Sequence, residues 1–404
     1  LGGDLLSPSV LSGLTQGKQM IEIFNALSLD AAGLGNHEFD FGSEVLRRRA
    51  AESKFPWLAS NTLDAEGRPL VGQAMLLRQM GPFKVGLFGL LTSETKHLSS
   101  PGAGVRFAPV VETAKATVAA LREQQADLVI ALTHLDLSAD RALVRAVPGI
   151  DVILGGHDHD PIMIYERGTL IAKAGYDAHY LAVIDLAIEK KQGRRGPKTV
   201  IRPQWRLVST HGVEPDAEVA AIVAGYEQLL ATKLDVALGE TETPLDSRRA
   251  SVRGGESAIG NLIADALRAA IGADVALTNG GGIRGDRIYE AGATLSRKDV
   301  LGELPFGNVT LLLEVSGAEL KAALENGVSR IEDTAGRFPQ VSGLKFVFNP
   351  ARPSGSRILE VVVAGRALDP GGRYRLATSD YIANGGDGYA VLKGARRLID
   401  ASAA

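Results

Sequence analysis

The chain has 404 residues, 45% of them hydrophobic and 23% charged, the make-up of a globular protein of roughly two or three domains. A formal net charge of -3 excludes a basic nucleic-acid surface, and the absence of cysteine excludes disulfides and thiolate metal sites, so any metal must take His, Asp, Asn or Glu. No apolar run approaches the ~18–20 residues that a membrane span needs.

In chain order, the apolar run Val85–Leu91 is a predicted strand, Ala114–Gln124 a helix and Asp127–Thr133 a second strand. A helical stretch around Val144 leads to a further strand, Asp151–Leu154. Apolar runs separated by helices argue for strands buried on both faces, hence an α/β layer. The run Leu181–Ile188 is followed by the polar segment Glu189–Pro203, expected to be a loop that ends the first domain. Its basic cluster, Lys190–Lys198, is interrupted by Gly and Pro and is read as solvated rather than as a binding patch. Pro215 opens a predicted helix, Asp216–Leu234, placed between domains. Helices Ile259–Ile271 and Ala318–Asn326 and strands Val275–Thr278, Val309–Val315, Leu344–Phe348 and Leu359–Val363 follow. The expected domains are 1–200, a linker 201–234, and 235–404.

Two predicted strands end on histidine, at Thr133-His134 and Gly155-Gly156-His157, and open α/β sheets build their sites at the carboxyl ends of strands. With Gly2-Gly3-Asp4 and Gly35-Asn36-His37-Glu38-Phe39-Asp40 they form a metal-ligating pattern. Lewis-acidic divalent metals take imidazole and carboxylate ligands, and a metal pair needs a bridging one. Asp4 can bridge; Asn36, His134, His157 and His159 can be terminal ligands. His97, His179 and His211 are read as ordinary hydrogen-bonding residues.

The order GD, GNHEFD, LTH, GGHDH resembles the calcineurin-like metallophosphoesterases, and the GNHEFD spelling resembles their 5'-nucleotidase branch. The resemblance implies that Asp4 bridges two divalent metals (Zn, Mn, Fe or Co), with Asn36, His134 and His157 on one and His159 on the other. It implies that His37 is no ligand but stabilises the transition state or protonates the leaving oxygen, oriented by Asp40, with Glu38 structural. The family's earlier Asp-x-His motif would precede Leu1. The chain as written is therefore expected to hold one metal well and the other poorly, with an exposed sheet edge.

The second half carries Gly254-Gly255-Glu256-Ser257, Asn279-Gly280-Gly281-Gly282-Ile283-Arg284, Leu304-Pro305-Phe306-Gly307-Asn308 and Tyr381–Tyr389. A Gly-rich turn ending in Arg suits a phosphate or carboxylate, and aromatics in Gly-rich loops can hold a base. As an ordered set they resemble the C-terminal domain of 5'-nucleotidases and periplasmic UDP-sugar hydrolases. The resemblance implies that Asn279 and Arg284 contact substrate, Arg284 at the phosphate. Phe306 and Tyr381 would stack on the base, and Asp387 would bind the ribose hydroxyls. Relatives often carry Arg just before the Glu-Ser pair; here Gly255 stands there, with Arg253 two positions earlier.

The expected fold is thus α/β: an N-terminal αββα metallophosphoesterase sandwich joined by a helix to an α/β 5'-nucleotidase domain. The expected activity is metal-dependent hydrolysis of nucleotide phosphate esters, foremost as a 5'-nucleotidase acting on small-molecule nucleotides. The alternatives are UDP-sugar or cyclic-nucleotide phosphodiesterase activity at the same site, or an impaired nucleotide-binding fragment. The resemblance implies a periplasmic or extracellular location.

Overall fold

A computed structural model describes residues 1–193, 196–234 and 236–399. The chain divides into two compact units, Leu1–Tyr226 and Glu227–Ala404, and the division falls inside the Ala217–Leu234 helix.

The first unit is built on a six-stranded sheet in the order Met75–Met80, Phe83–Leu91, Leu128–His134, Val152–Gly155, Thr169–Ala174, Pro161–Glu166. The four inner strands run parallel and the two edge strands antiparallel. Helices Val110–Glu123 and Leu137–Ala146 cover one face, burying Ala114, Val118, Leu121, Leu143 and Val144 against Phe88, Val129, Ala131 and Ile153. Because both faces of the inner strands are packed, their sequences read as unbroken apolar runs rather than alternating ones. On the other side, Ala32–Gly33 pairs in parallel with Trp57–Leu58, and Leu58 packs with Leu132 and Ala31. Three of the motifs singled out in the first half fall where parallel strands end, at Gly33, His134 and Gly155.

The polar segment Glu189–Pro203 is not the expected loop. It lies inside a long antiparallel hairpin, Tyr180–Gly193 with Gly196–Ser209. Residues 194–195, within the Lys190–Lys198 cluster, lie outside the described residues. Leu186 pairs with Pro203 and Ile188 with Ile201, and the prolines are tolerated because this strand has no second neighbour. Lys190 forms an ion pair with Asp127 at 2.8 Å and lies over the Phe83 ring, so it is tied to the sheet rather than free in solvent.

The second unit holds a five-stranded sheet ordered Pro339–Ser342, Val275–Asn279, Arg373–Ser379, Thr310–Ser316, Arg396–Ile399. Only Val275–Asn279 and Arg373–Ser379 are parallel neighbours. Helix Gly317–Gly327 starts at a capping box between Ser316 and Glu319 and buries Leu320, Ala323 and Leu324 in the main core. Helix Ala258–Ala270 is capped by Ser257 Oγ, which accepts from Gly260 N at 3.1 Å. Among the described residues no helix is long and apolar enough to cross a membrane.

Candidate metal site and nucleotide-type pocket

Asp4 sits in a left-handed conformation, φ 56°, at the end of the Gly2-Gly3 turn. Its Oδ1 accepts from the backbone N–H of His37 at 2.9 Å. Gly35 must be glycine, because a Cβ there would collide with the Asp4 carboxylate and backbone nitrogen. The two loops are locked by Glu38, which is fully buried. Its Oε1 accepts from Leu5 N at 2.5 Å and Leu6 N at 3.1 Å, and its Oε2 from Asp4 N at 2.9 Å and from Gly35 N. Burial and the neighbouring Asp4 charge push the Glu38 carboxyl above its usual range, against the pull of those N–H groups.

His134 is buried, with Nδ1 2.7 Å from Gly2 O and Nε2 3.1 Å from Asp4 Oδ2. A carbonyl on Nδ1 fixes that nitrogen as the N–H donor, so Nε2 is the face left for a cation or a second proton. Burial alone would raise the Asp4 carboxyl, but His134 and His37 outweigh it and hold it well below the ordinary range. Burial opposes the charged form of His134, and Asp4 reverses that and raises it. The His157 ring lies 5.0 Å from that of His134, and burial together with the His134 charge lowers it to about 4. His157 is therefore a neutral imidazole at pH 7, the ligating form.

Asn36 Oδ1 is buried without a hydrogen-bond partner, between Gly35 and His37, both of which contact Asp4. Such an atom is normally satisfied, and an amide oxygen of this kind is a donor that a hard divalent cation accepts. His159 is exposed, and its ring stacks on Tyr176 at 5.1 Å, which in turn meets His179 edge-on at 4.8 Å.

His37 Nδ1 lies 2.7 Å from Asp40 Oδ2, and Asp40 Oδ1 accepts from Ser99 Oγ at 2.7 Å. Ser99 carries no sequence signal: it is one of two adjacent serines, 59 positions from Asp40.

In the second unit Asn279 Nδ2 donates to Asp387 Oδ2 at 2.6 Å. The Tyr381 hydroxyl lies 3.3 Å from Asp387 Oδ1 and accepts from Asp387 N at 3.1 Å. Asp387 is held in the left-handed region, φ 51°, by this network. The Arg284 guanidinium stands 5.7 Å from the Phe306 ring centre. Phe306, Asn279 and Asn308 line a pocket of about 460 Å³, open mouth included, whose apolar wall is Ile263, Leu267 and Leu304.

Arg253 is the most strained cation here. Burial, then the charges of Arg284 and Arg249, lower it to about 10, and its Nε is buried without a hydrogen-bond partner. Arg249, which sequence reasoning missed, lies four residues before Arg253 on the short Arg249–Gly254 helix, hence on the same face. Arg253 is half-buried and Arg249 exposed, and like charges gathered this closely raise the local positive potential. Because the cationic form is disfavoured, folding carries this cost fully below about pH 10 and loses it above. Arg253→Met is therefore expected to leave the melting temperature unchanged or raise it. It should also abolish most of the stabilisation that millimolar inorganic phosphate gives the parent, both read by calorimetry.

Residues 1–161 match the calcineurin-like phosphoesterase family and residues 237–394 the 5'-nucleotidase C-terminal domain. The chain is 31% identical over 439 residues to the trifunctional nucleotide phosphoesterase protein YfkN of Bacillus subtilis, covering 96% of this chain but 30% of that one. It is 30% identical to Protein 5NUC of Lutzomyia longipalpis, covering 92% of this chain and 72% of the relative. The crystal structure of a 5'-nucleotidase precursor from Thermus thermophilus superposes with a TM-score of 0.85 at 30% identity, covering 99% of this chain and 83% of that one. With both halves matched in order, the chain belongs to the 5'-nucleotidase family.

Proposed function

We propose that this chain is a phosphoric ester hydrolase that releases phosphate from nucleoside 5'-monophosphates. The observation that supports the reading is the contact of buried His134 with Asp4 and its approach to His157, together with an orphaned buried oxygen on Asn36. Family membership implies a divalent-metal requirement. Our finer assignment is a pair of ions, Zn, Mn, Fe or Co, with Asp4 shared, Asn36, His134 and His157 on one and His159 on the other. When bound, the ions would supply Lewis acidity and an activated water. His37, oriented by Asp40, would stabilise charge on the phosphoryl oxygens or hold the proton for the leaving oxygen.

In the second unit, Arg253 and Arg284 would bind the phosphate, Phe306 and Tyr381 would bracket the base, and Asn279 and Asp387 would hold the nucleoside. Asp387 already accepts from Asn279, with Tyr381 at hand, so a ribose hydroxyl would meet a fixed acceptor rather than a mobile one. Export to the periplasm or cell surface belongs to the same proposal.

Phosphate release from AMP, a UDP-sugar and a 2',3'-cyclic nucleotide, measured beside metal content, tests the reading. AMP is expected to turn over fastest, and EDTA should remove the activity until Mn²⁺ is restored. Faster turnover of the UDP-sugar or the cyclic diester would move the assignment to a diesterase. Nucleotide binding without hydrolysis in any metal would leave a binding module.

A further inference from the structure

Lys173 has no place in the mechanism above, and in sequence it is one polar residue inside the apolar strand Thr169–Ala174. Its side chain is wholly buried, and four oxygens surround Nζ: Leu135 O and Gly156 O at 2.7 Å, and Asp140 Oδ2 and Asp158 Oδ2 at 2.9 Å. Leu135 follows His134 directly. Gly156 and Asp158 are the two residues on either side of His157.

The Asp158 N–H also donates back to Gly156 O at 3.0 Å, across His157 at φ +75°. This is the rare, strained γ-turn with a positive φ at its centre, and a bulky residue occupies it only where the surroundings hold it there. The turn lies close against the Asp4 loop, since a Cβ on Gly156 would run into Gly2 O and His134 Nδ1. Stability does not by itself call for such a group: a buried ion pair can often be exchanged for apolar residues with little loss.

We propose that Lys173 is a positioning residue of the metal site. Its ammonium ties the residue after His134 to both ends of the turn that carries His157, and so sets the separation of the two imidazoles. This rests on the reading of His134 and His157 as metal ligands.

The sign of one measurement separates positioning from simple electrostatics. Removing a cation near a metal site tightens cation binding if only the field matters, and loosens it if the ligands lose their alignment. The test is calorimetric titration of the 404-residue chain with Mn²⁺, for the parent, Lys173→Met, and Lys173→Met/Asp140→Asn. The double variant removes one charge of each sign; Asp158 also loses its partner, but 27% of its side chain is exposed. Both variants are expected to bind Mn²⁺ ~10–100-fold more weakly, the range typical of outer-shell partners. The double variant's melting temperature should stay near the parent's.

Parent-like or tighter binding in a folded double variant overturns the proposal while leaving the metal site intact. A parent that binds no Mn²⁺ removes the ligand assignment and the proposal with it. Should the double variant not fold, Asp158→Asn cuts only the outer tie, since Asp158 keeps 27% of its side chain exposed. Its loss of affinity should persist at high salt, whereas a loss that salt screens away refutes positioning.

Discussion

Replacing His37 with alanine should lower kcat for AMP by ~10²–10⁴-fold, the usual worth of a positioned acid–base group, while bound metal stays at the parent level. The structure separates the two effects. The contact of residue 37 with Asp4 is made by its backbone N–H at 2.9 Å, which alanine keeps. The imidazole Nδ1 lies 2.7 Å from Asp40, and the ring's charge acts on the Asp4 carboxyl only behind that of His134. Asp40 is itself fixed by Ser99 at 2.7 Å, so the ring is aimed before substrate arrives. Asp40→Asn should give a smaller loss than His37→Ala, because the ring is kept and only its orientation and charge support change. Metal content by mass spectrometry and single-turnover phosphate release are the two readouts. Full activity in His37→Ala, with metal bound, would remove His37 from the chemistry.

Much of this site was legible in the sequence because its parts are local. Gly-Asn-His-Glu-Phe-Asp is one short local stretch, a 3-10 turn over Asn36–Phe39 ending at Asp40, so the nearness of His37 to Asp40 follows from their spacing, while the roles proposed for them come from the family resemblance. Gly-Gly-His-Asp-His likewise announces a tight turn. What stayed hidden depends on long-range contact. Ser99 reaches Asp40 from 59 residues away, and Lys173 reaches Gly156 and Leu135 from a neighbouring strand, leaving no periodic trace. Arg249 could have been found, since it sits one helical turn before Arg253. The hairpin was missed for a different reason. Its arms carry Lys, Arg and two prolines, which resemble a linker in composition, and the pairing that runs from Tyr180 with Ser209 to Gly193 with Gly196 leaves no compositional trace. In the second unit the core strands were readable from their apolar runs, and every predicted strand there overlaps an observed one.

The largest effect on stability is expected at Glu38 rather than at any ligand. Its carboxylate is the common acceptor for the N–H groups of Asp4, Leu5, Leu6 and Gly35, from two loops otherwise tied by Asp4 Oδ1 accepting from His37 N. Glu38→Ala would orphan these buried donors and open a cavity behind the Asp4 turn. An unsatisfied buried group costs about 1–3 kcal/mol, and partial relaxation shares the burden, so a loss of roughly 4 kcal/mol is expected. For a unit of this size that is a fall in melting temperature of roughly 8–16 °C. Glu38→Gln keeps the shape and one acceptor. It can still receive Leu5 and Leu6, but its amide NH₂ would face the N–H groups of Asp4 and Gly35, so it should fall between parent and alanine. Because Asp4 and Gly35 belong to the proposed ligand loops, Mn²⁺ affinity should follow the same order as melting temperature. This coupling distinguishes a clamp from a passive core residue: a variant that melts early yet binds Mn²⁺ as the parent does would show that the Asp4 loop holds its shape without Glu38.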